Sequence, residues 1–199
     1  RIDTAPITGE PVPVSVAEGD SVVSGCVNTT GQLTVRVEKS LSESMVTRIL
    51  DSVENAARQL LNVFFAVPQI SVRPDRVPEA HRAMLRHYLA LMEQLQGVLT
   101  APLRAEAPHL LYPLVRARKD DTEVIVCYDA DRVVRLSDAV RTYVFNATGA
   151  EKLLLHGTDV VYRVYDCLGR EGKRGETAQA YAEAAIPSGG YAVLKTEGR

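Results

Sequence analysis

From His109 onward the chain is a succession of short runs rich in valine, tyrosine and leucine, broken at near-regular intervals by turn chemistry. The breaks are Lys119-Asp120-Asp121, Ser137-Asp138, Asn146-Ala147-Thr148-Gly149, His156-Gly157-Thr158-Asp159, Gly169 to Gly175 and Pro187-Ser188-Gly189-Gly190. Runs this short cannot bury an apolar face alone, so they must pair. The spacing predicts strands over 110–118, 122–129, 132–137, 141–147, 151–156, 159–166, 180–186 and 190–196, arranged as an antiparallel β-sandwich.

The part before His109 has two periodicities. Val12, Val14 and Val16 alternate with polar neighbours, and so do Leu33, Val35 and Val37, which predicts half-buried strands. Turn signals lie at Ala17-Glu18-Gly19-Asp20 and Asn28-Thr29-Thr30-Gly31. From about Ser42 the period changes. Val46, Ile49, Leu50, Val53, Ala57, Leu60 and Leu61 recur at helical spacing, which predicts one helix running on to about Phe64. A second helix is expected from about Glu79 to Leu99, opened by Pro78. Its buried stripe would be Met84, Leu85, Tyr88, Leu89, Met92, Leu95 and Leu99. The fold class is therefore α+β.

Composition excludes several functions. Net charge is −2 over 199 residues, so no field draws nucleic acid or an anionic membrane. The basic cluster Arg170, Lys173 and Arg174 reads as a solvated glycine-rich hairpin loop. No apolar run approaches the roughly 20 residues of a spanning helix, so no membrane insertion is expected. Cys26, Cys127 and Cys167 form no CxxC pair and read as free thiols in a reducing cytoplasm. No metal or cofactor is expected. Asp129 and Asp131 read as hairpin-turn residues rather than a catalytic pair, and Asp120-Asp121 likewise. His81, His87, His109 and His156 share no ligand spacing and read as surface or capping residues. The tyrosines are expected to pack in the core and on sheet faces.

Thr8-Gly9-Glu10 carries the most specific signal. It sits inside Ile2-Asp3-Thr4-Ala5-Pro6-Ile7-Thr8-Gly9-Glu10-Pro11-Val12-Pro13. Behind it come Gly19-Asp20, Val23-Ser24-Gly25-Cys26-Val27-Asn28, Leu33-Thr34-Val35-Arg36-Val37, Ser44-Met45-Val46-Thr47-Arg48-Ile49-Leu50 and Val53-Glu54-Asn55-Ala56. In this order and spacing the set resembles the actuator domain of P-type ATPases, in the branch that exports cadmium, zinc and lead. The resemblance implies that Glu10 orients and deprotonates the water that attacks an aspartyl phosphate, and that Thr8 and Gly9 shape the turn. It also implies actuator strands ahead of Arg1 and a phosphorylated aspartate in a DKTGT motif, and no such motif occurs in this sequence. Taken without that partner, Glu10 reads as an exposed turn glutamate.

After about Ala57 a second resemblance takes over. Arg58-Gln59-Leu60-Leu61-Asn62-Val63-Phe64-Phe65, Val77-Pro78-Glu79-Ala80-His81 and Tyr112-Pro113-Leu114-Val115-Arg116 resemble the C-terminal region of α-galactosidase-like glycoside hydrolases. Val144-Phe145-Asn146-Ala147-Thr148, Tyr162-Arg163-Val164-Tyr165-Asp166 and Ile186-Pro187-Ser188-Gly189-Gly190-Tyr191 resemble the closing β-sandwich of that family. The paired carboxylates that such enzymes use lie upstream of this region in the family. The expected organisation is thus a partial actuator domain over 1–57, a helical segment over 58–104 resembling the end of a hydrolase barrel, and a β-sandwich over 105–199. The expected function is a composite or truncated chain without complete activity. The alternatives are an accessory subunit or C-terminal domain of a glycoside hydrolase, a carbohydrate-binding module, and a regulatory fragment docking on a metal-transporting pump. Carbohydrate and a partner polypeptide are the candidate partners.

Overall fold

A computed structural model describes residues 1–3, 14–22, 26–38, 52–68, 77–177 and 180–196. The chain divides into two compact units, Arg1–Ser52 and Val53–Arg199.

In the first unit, β1 (Ile2–Asp3) pairs antiparallel with β2 (Val27–Asn28), setting Ile2 opposite Asn28. Ile2 also exchanges two backbone hydrogen bonds with Val14, at 2.9 and 2.8 Å. The terminal ammonium group donates to the Thr30 carbonyl at 2.9 Å. The expected turn at Ala17–Asp20 is present: Asp20 Oδ2 accepts from the Ala17 amide at 2.7 Å, and Gly19 takes a φ of 92°. The strand expected at Leu33–Val37 is not found. Those residues pair with no strand among the described residues, and Val37 is 80% exposed. Alternation states which face would be buried, and burial still requires a neighbouring strand.

The second unit begins with α1 (Val53–Leu61), which buries Ala57, Leu60 and Leu61. The single long helix expected from Ser42 is corrected here, since Ser52 is not helical; residues 39–51 lie outside the described residues. At the other end the chain leaves the helix through turns at Asn62–Phe65, which seat Phe64 fully in the core. The second helix, α2 (Glu79–Leu99), has the expected bounds. Its buried seam is Met84, Tyr88, Leu91, Leu95 and Val98, a 4–3–4–3 spacing, with Leu99 beside it. Leu89, expected in the stripe, is 41% exposed, because it lies about 100° around the helix from Tyr88.

Ten strands follow: β3 (Leu103–Glu106), β4 (Leu114–Lys119), β5 (Thr122–Cys127), β6 (Val133–Arg135), β7 (Arg141–Asn146), β8 (Leu153–His156), β9 (Val160–Tyr165), β10 (Glu171–Glu176), β11 (Tyr181–Ala184) and β12 (Tyr191–Thr196). They form a seven-stranded sheet in the order β10-β9-β12-β7-β5-β4-β3 and a three-stranded sheet in the order β11-β8-β6. The expectation of purely antiparallel pairing is corrected: β5 and β7 run parallel, and so do β6 and β8. The reason is that β6, β8 and β11 each leave the large sheet and return to it, so the strands on either side of an excursion need not form a hairpin.

Two apolar layers hold this unit together. One face of the large sheet, with Val124, Val126, Phe145 and Tyr191, packs against Leu61, Phe64, Met84 and Tyr88 of the helical segment. The other face, with Ile125, Val144, Val164 and Ala192, packs against Val134, Leu153, Leu155 and Ala184 of the small sheet. β5 and β7 are covered on both sides, which is why Val124 to Cys127 reads as an unbroken apolar run. Asn146 closes β7 from inside the core. Its Nδ2 donates to the carbonyls of Ala150 (2.7 Å) and Ile186 (2.8 Å), while its Oδ1 accepts from the amide and hydroxyl of Thr148. The sequon Asn146-Ala147-Thr148 is therefore a buried, satisfied polar plug.

Candidate functional site

Thr8, Gly9 and Glu10 lie outside the described residues. Ile2 and Val14 sit face to face across two hydrogen bonds. Asp3 is held opposite Val27 in the same ladder.

The second unit was expected to hold no catalytic carboxylate pair, and its turn aspartates are occupied structurally. Asp129 Oδ1 accepts from the Asp131 amide at 3.0 Å, and its Oδ2 pairs with Arg132 at 3.2 Å. Asp120 adopts a positive φ of 52° in the turn between β4 and β5. Glu123 is almost fully buried, and it pairs with Arg116 at 3.3 Å and accepts from Ser137 Oγ at 2.7 Å. Arg116 also pairs with Glu106 and donates to the Arg135 carbonyl at 3.2 Å, which ties β4 to β6 across the two sheets. Beside this cluster is a cavity of about 310 Å³ walled by Glu106, Asp131, Arg132 and Arg135. Among the described residues no group of three histidines, cysteines or acids could hold a metal ion.

A histidine and three aromatic rings form the other concentration of chemistry. His87 of α2 stacks on Tyr191 with ring centres 5.8 Å apart, and its Nε2 lies 3.2 Å from the Tyr191 hydroxyl. Tyr191 stacks in turn on Tyr165 (5.1 Å) and Phe145 (5.2 Å). Gly169, at φ 78°, passes so close under the imidazole that an added Cβ would fall 2.5 Å from Cε1. Burial holds the His87 pKa below its ordinary value, with Asp166 pulling the other way. Burial likewise pushes the phenols of Tyr88 and Tyr191 up. Asp166 accepts from the amides of Leu168 and Arg170, each at 2.9 Å, and from Arg170 Nε at 2.6 Å.

His87 was expected on the surface, and the structure corrects this. The signal was present: position 87 stands three after Met84 and four before Leu91, so it shares their face. Tyr88, Tyr143, Tyr162 and Tyr191 take the buried packing roles expected of the tyrosines, while Tyr112 and Tyr181 are more than half exposed. All three cysteines are free, and Cys127 and Cys167 are buried, their thiols raised to about 11 chiefly by desolvation. His156 lies against Tyr181, with ring centres 4.6 Å apart.

No helix among the described residues is long and apolar enough to cross a membrane. Similarity to known proteins falls on a short part of the chain. A zinc-transporting ATPase of Synechocystis sp. is 47% identical over 57 residues, which is 29% of this chain and 8% of the relative. A cadmium, zinc and cobalt-transporting ATPase of Bacillus subtilis is 48% identical over 56 residues, 28% of this chain and 8% of the relative. A silver exporting P-type ATPase of Salmonella typhimurium is 42% identical over 57 residues, 29% of this chain and 7% of the relative. The chain thus spans less than a tenth of the length of these curated relatives. No solved structure matches it. Residues 1–54, which include Thr8-Gly9-Glu10, match the P-type ATPase actuator domain.

Proposed function

We propose that the chain joins two parts of separate descent and carries no complete catalytic activity of its own. Residues 1–52 would be part of an actuator domain from a pump that moves heavy-metal ions. Glu10 would there orient water against an aspartyl phosphate supplied by another domain, and that work belongs on the cytoplasmic side. Residues 53–199 would be a separate β-sandwich module of the kind that closes α-galactosidase-like hydrolases. One observation carries the reading: the actuator match ends at residue 54, within two residues of the boundary between the compact units at Ser52. A family match and a packing boundary are independent quantities, and their coincidence supports a junction there. The sandwich is supported by the apolar layer that the large and small sheets share.

The test is turnover. With zinc or cadmium present, the purified chain should release no phosphate from ATP and no nitrophenol from 4-nitrophenyl α-galactoside. Hydrolysis of ATP that Glu10→Gln abolishes would overturn the proposal. A second reading makes residues 53–199 the C-terminal domain of a hydrolase whose barrel is another polypeptide. It is favoured by α2 covering one face of the large sheet, as a terminal barrel helix would. Co-purification with a barrel protein under native conditions supports it, and a single migrating species counts against it.

A further inference from the structure

The solvent face of the small sheet carries three flat side chains in one row. Tyr181 of β11 is the cross-strand partner of His156 on β8, and His156 is the partner of Arg135 on β6. The residues next to them in sequence, Leu155 and Val134, are in the core between the sheets. Strand alternation therefore turns Tyr181, His156 and Arg135 outward together. Tyr181 is 56% exposed although its ring touches His156, so it contributes a face to solvent and little to the core. The row ends at the cavity of about 310 Å³, of which Arg135 is a wall.

We propose that this row and the adjoining cavity bind a neutral, hydroxyl-rich oligosaccharide. The phenol and imidazole rings give flat apolar surface to the C–H face of a sugar ring. Asp131 and Arg135 place a carboxylate and a guanidinium where adjacent hydroxyls would lie, while Glu106 and Arg132 in the same wall are held by Arg116 and Asp129. Charge decides against a polyanion. Two carboxylates balance two guanidinium groups in the cavity, and the whole chain carries a net −2. This goes beyond the two-part reading and does not depend on the actuator segment.

The experiment presents the whole chain to an array of neutral glycans, acidic glycans and poly(U), and measures each hit by calorimetry. A neutral oligosaccharide should bind. Tyr181→Ala and Arg135→Ala should each weaken it by about tenfold with the thermal midpoint unchanged, and Tyr181→Phe, which keeps the ring, should retain it. Absence of any neutral hit overturns the proposal. So does affinity unchanged in both alanine variants, and so does capture of acidic glycans or poly(U) alone. None of these results bears on ATP or galactoside turnover, so the two proposals fail separately.

Discussion

Gly169→Ala is the sharpest probe of how α2 is held to the large sheet. Two costs arise at one atom. The residue has φ 78°, where a side chain costs about 1–2 kcal/mol. The new Cβ would also lie 2.5 and 2.6 Å from His87 Cε1 and Nδ1, so the imidazole must leave its place. Moving it gives up the contact with the Tyr191 hydroxyl, about 1 kcal/mol. It also gives up the stack on Tyr191, about 0.5–1.5 kcal/mol. The sum is about 2.5–4.5 kcal/mol in the native background. In a His87→Ala background only the backbone part should remain, about 1–2 kcal/mol. Urea unfolding followed by circular dichroism at the helix band gives both numbers, and the double-mutant cycle should show a coupling of about 1.5–2.5 kcal/mol. An equal cost in the two backgrounds would mean that the imidazole does not lie over Gly169.

His87 also sets a pH dependence. Its folded pKa lies below the ordinary 6.5, so the unfolded chain takes up the proton first, and stability is full above 6.5 and is lost as pH falls from there to the folded value. The thermal midpoint should therefore drop as pH falls below about 6.5, and His87→Phe should flatten that part of the curve. Cysteine reactivity is the simplest check on the core: Cys127 and Cys167 are buried with thiols near 11, so a thiol reagent at neutral pH should label Cys26 alone in the folded chain and all three in urea, and rapid native labelling of the other two would contradict the packing.

The sequence was most informative where one residue pattern had one structural solution. α2 begins after Pro78 and ends at Leu99 because an apolar seam recurring every three or four residues cannot be satisfied by a strand. Eight strand positions were visible because valine and tyrosine runs stood between strong turn signals. β10 was not, since Glu171-Gly172-Lys173-Arg174-Gly175-Glu176 holds no apolar residue. It is an edge strand paired only with β9, and Gly175 is there because an added Cβ would fall 2.4 Å from the Tyr162 ring. β3 was missed for a similar reason, being another short and largely exposed edge. The boundary between the compact units at Ser52 was hidden because the apolar period of the sequence runs through it unbroken. The actuator match, which ends at residue 54, falls beside that boundary. Thr8-Gly9-Glu10 was legible in the sequence as a motif, while the bridge between Ile2 and Val14 depended on a pairing that sequence does not encode locally. The stack of His87 on Tyr191 joins residues more than a hundred positions apart, and no local pattern reports such a distance.

The three excursions to the small sheet have a kinetic meaning. Each of its strands is bounded in the chain by strands of the other layer, so it contains no local hairpin from which to nucleate. Loops must close across the large sheet before β6, β8 or β11 can meet, and that entropy is spent ahead of any return. The outer layer should consequently assemble late and open early, and a break anywhere between β5 and β12 would release both layers together.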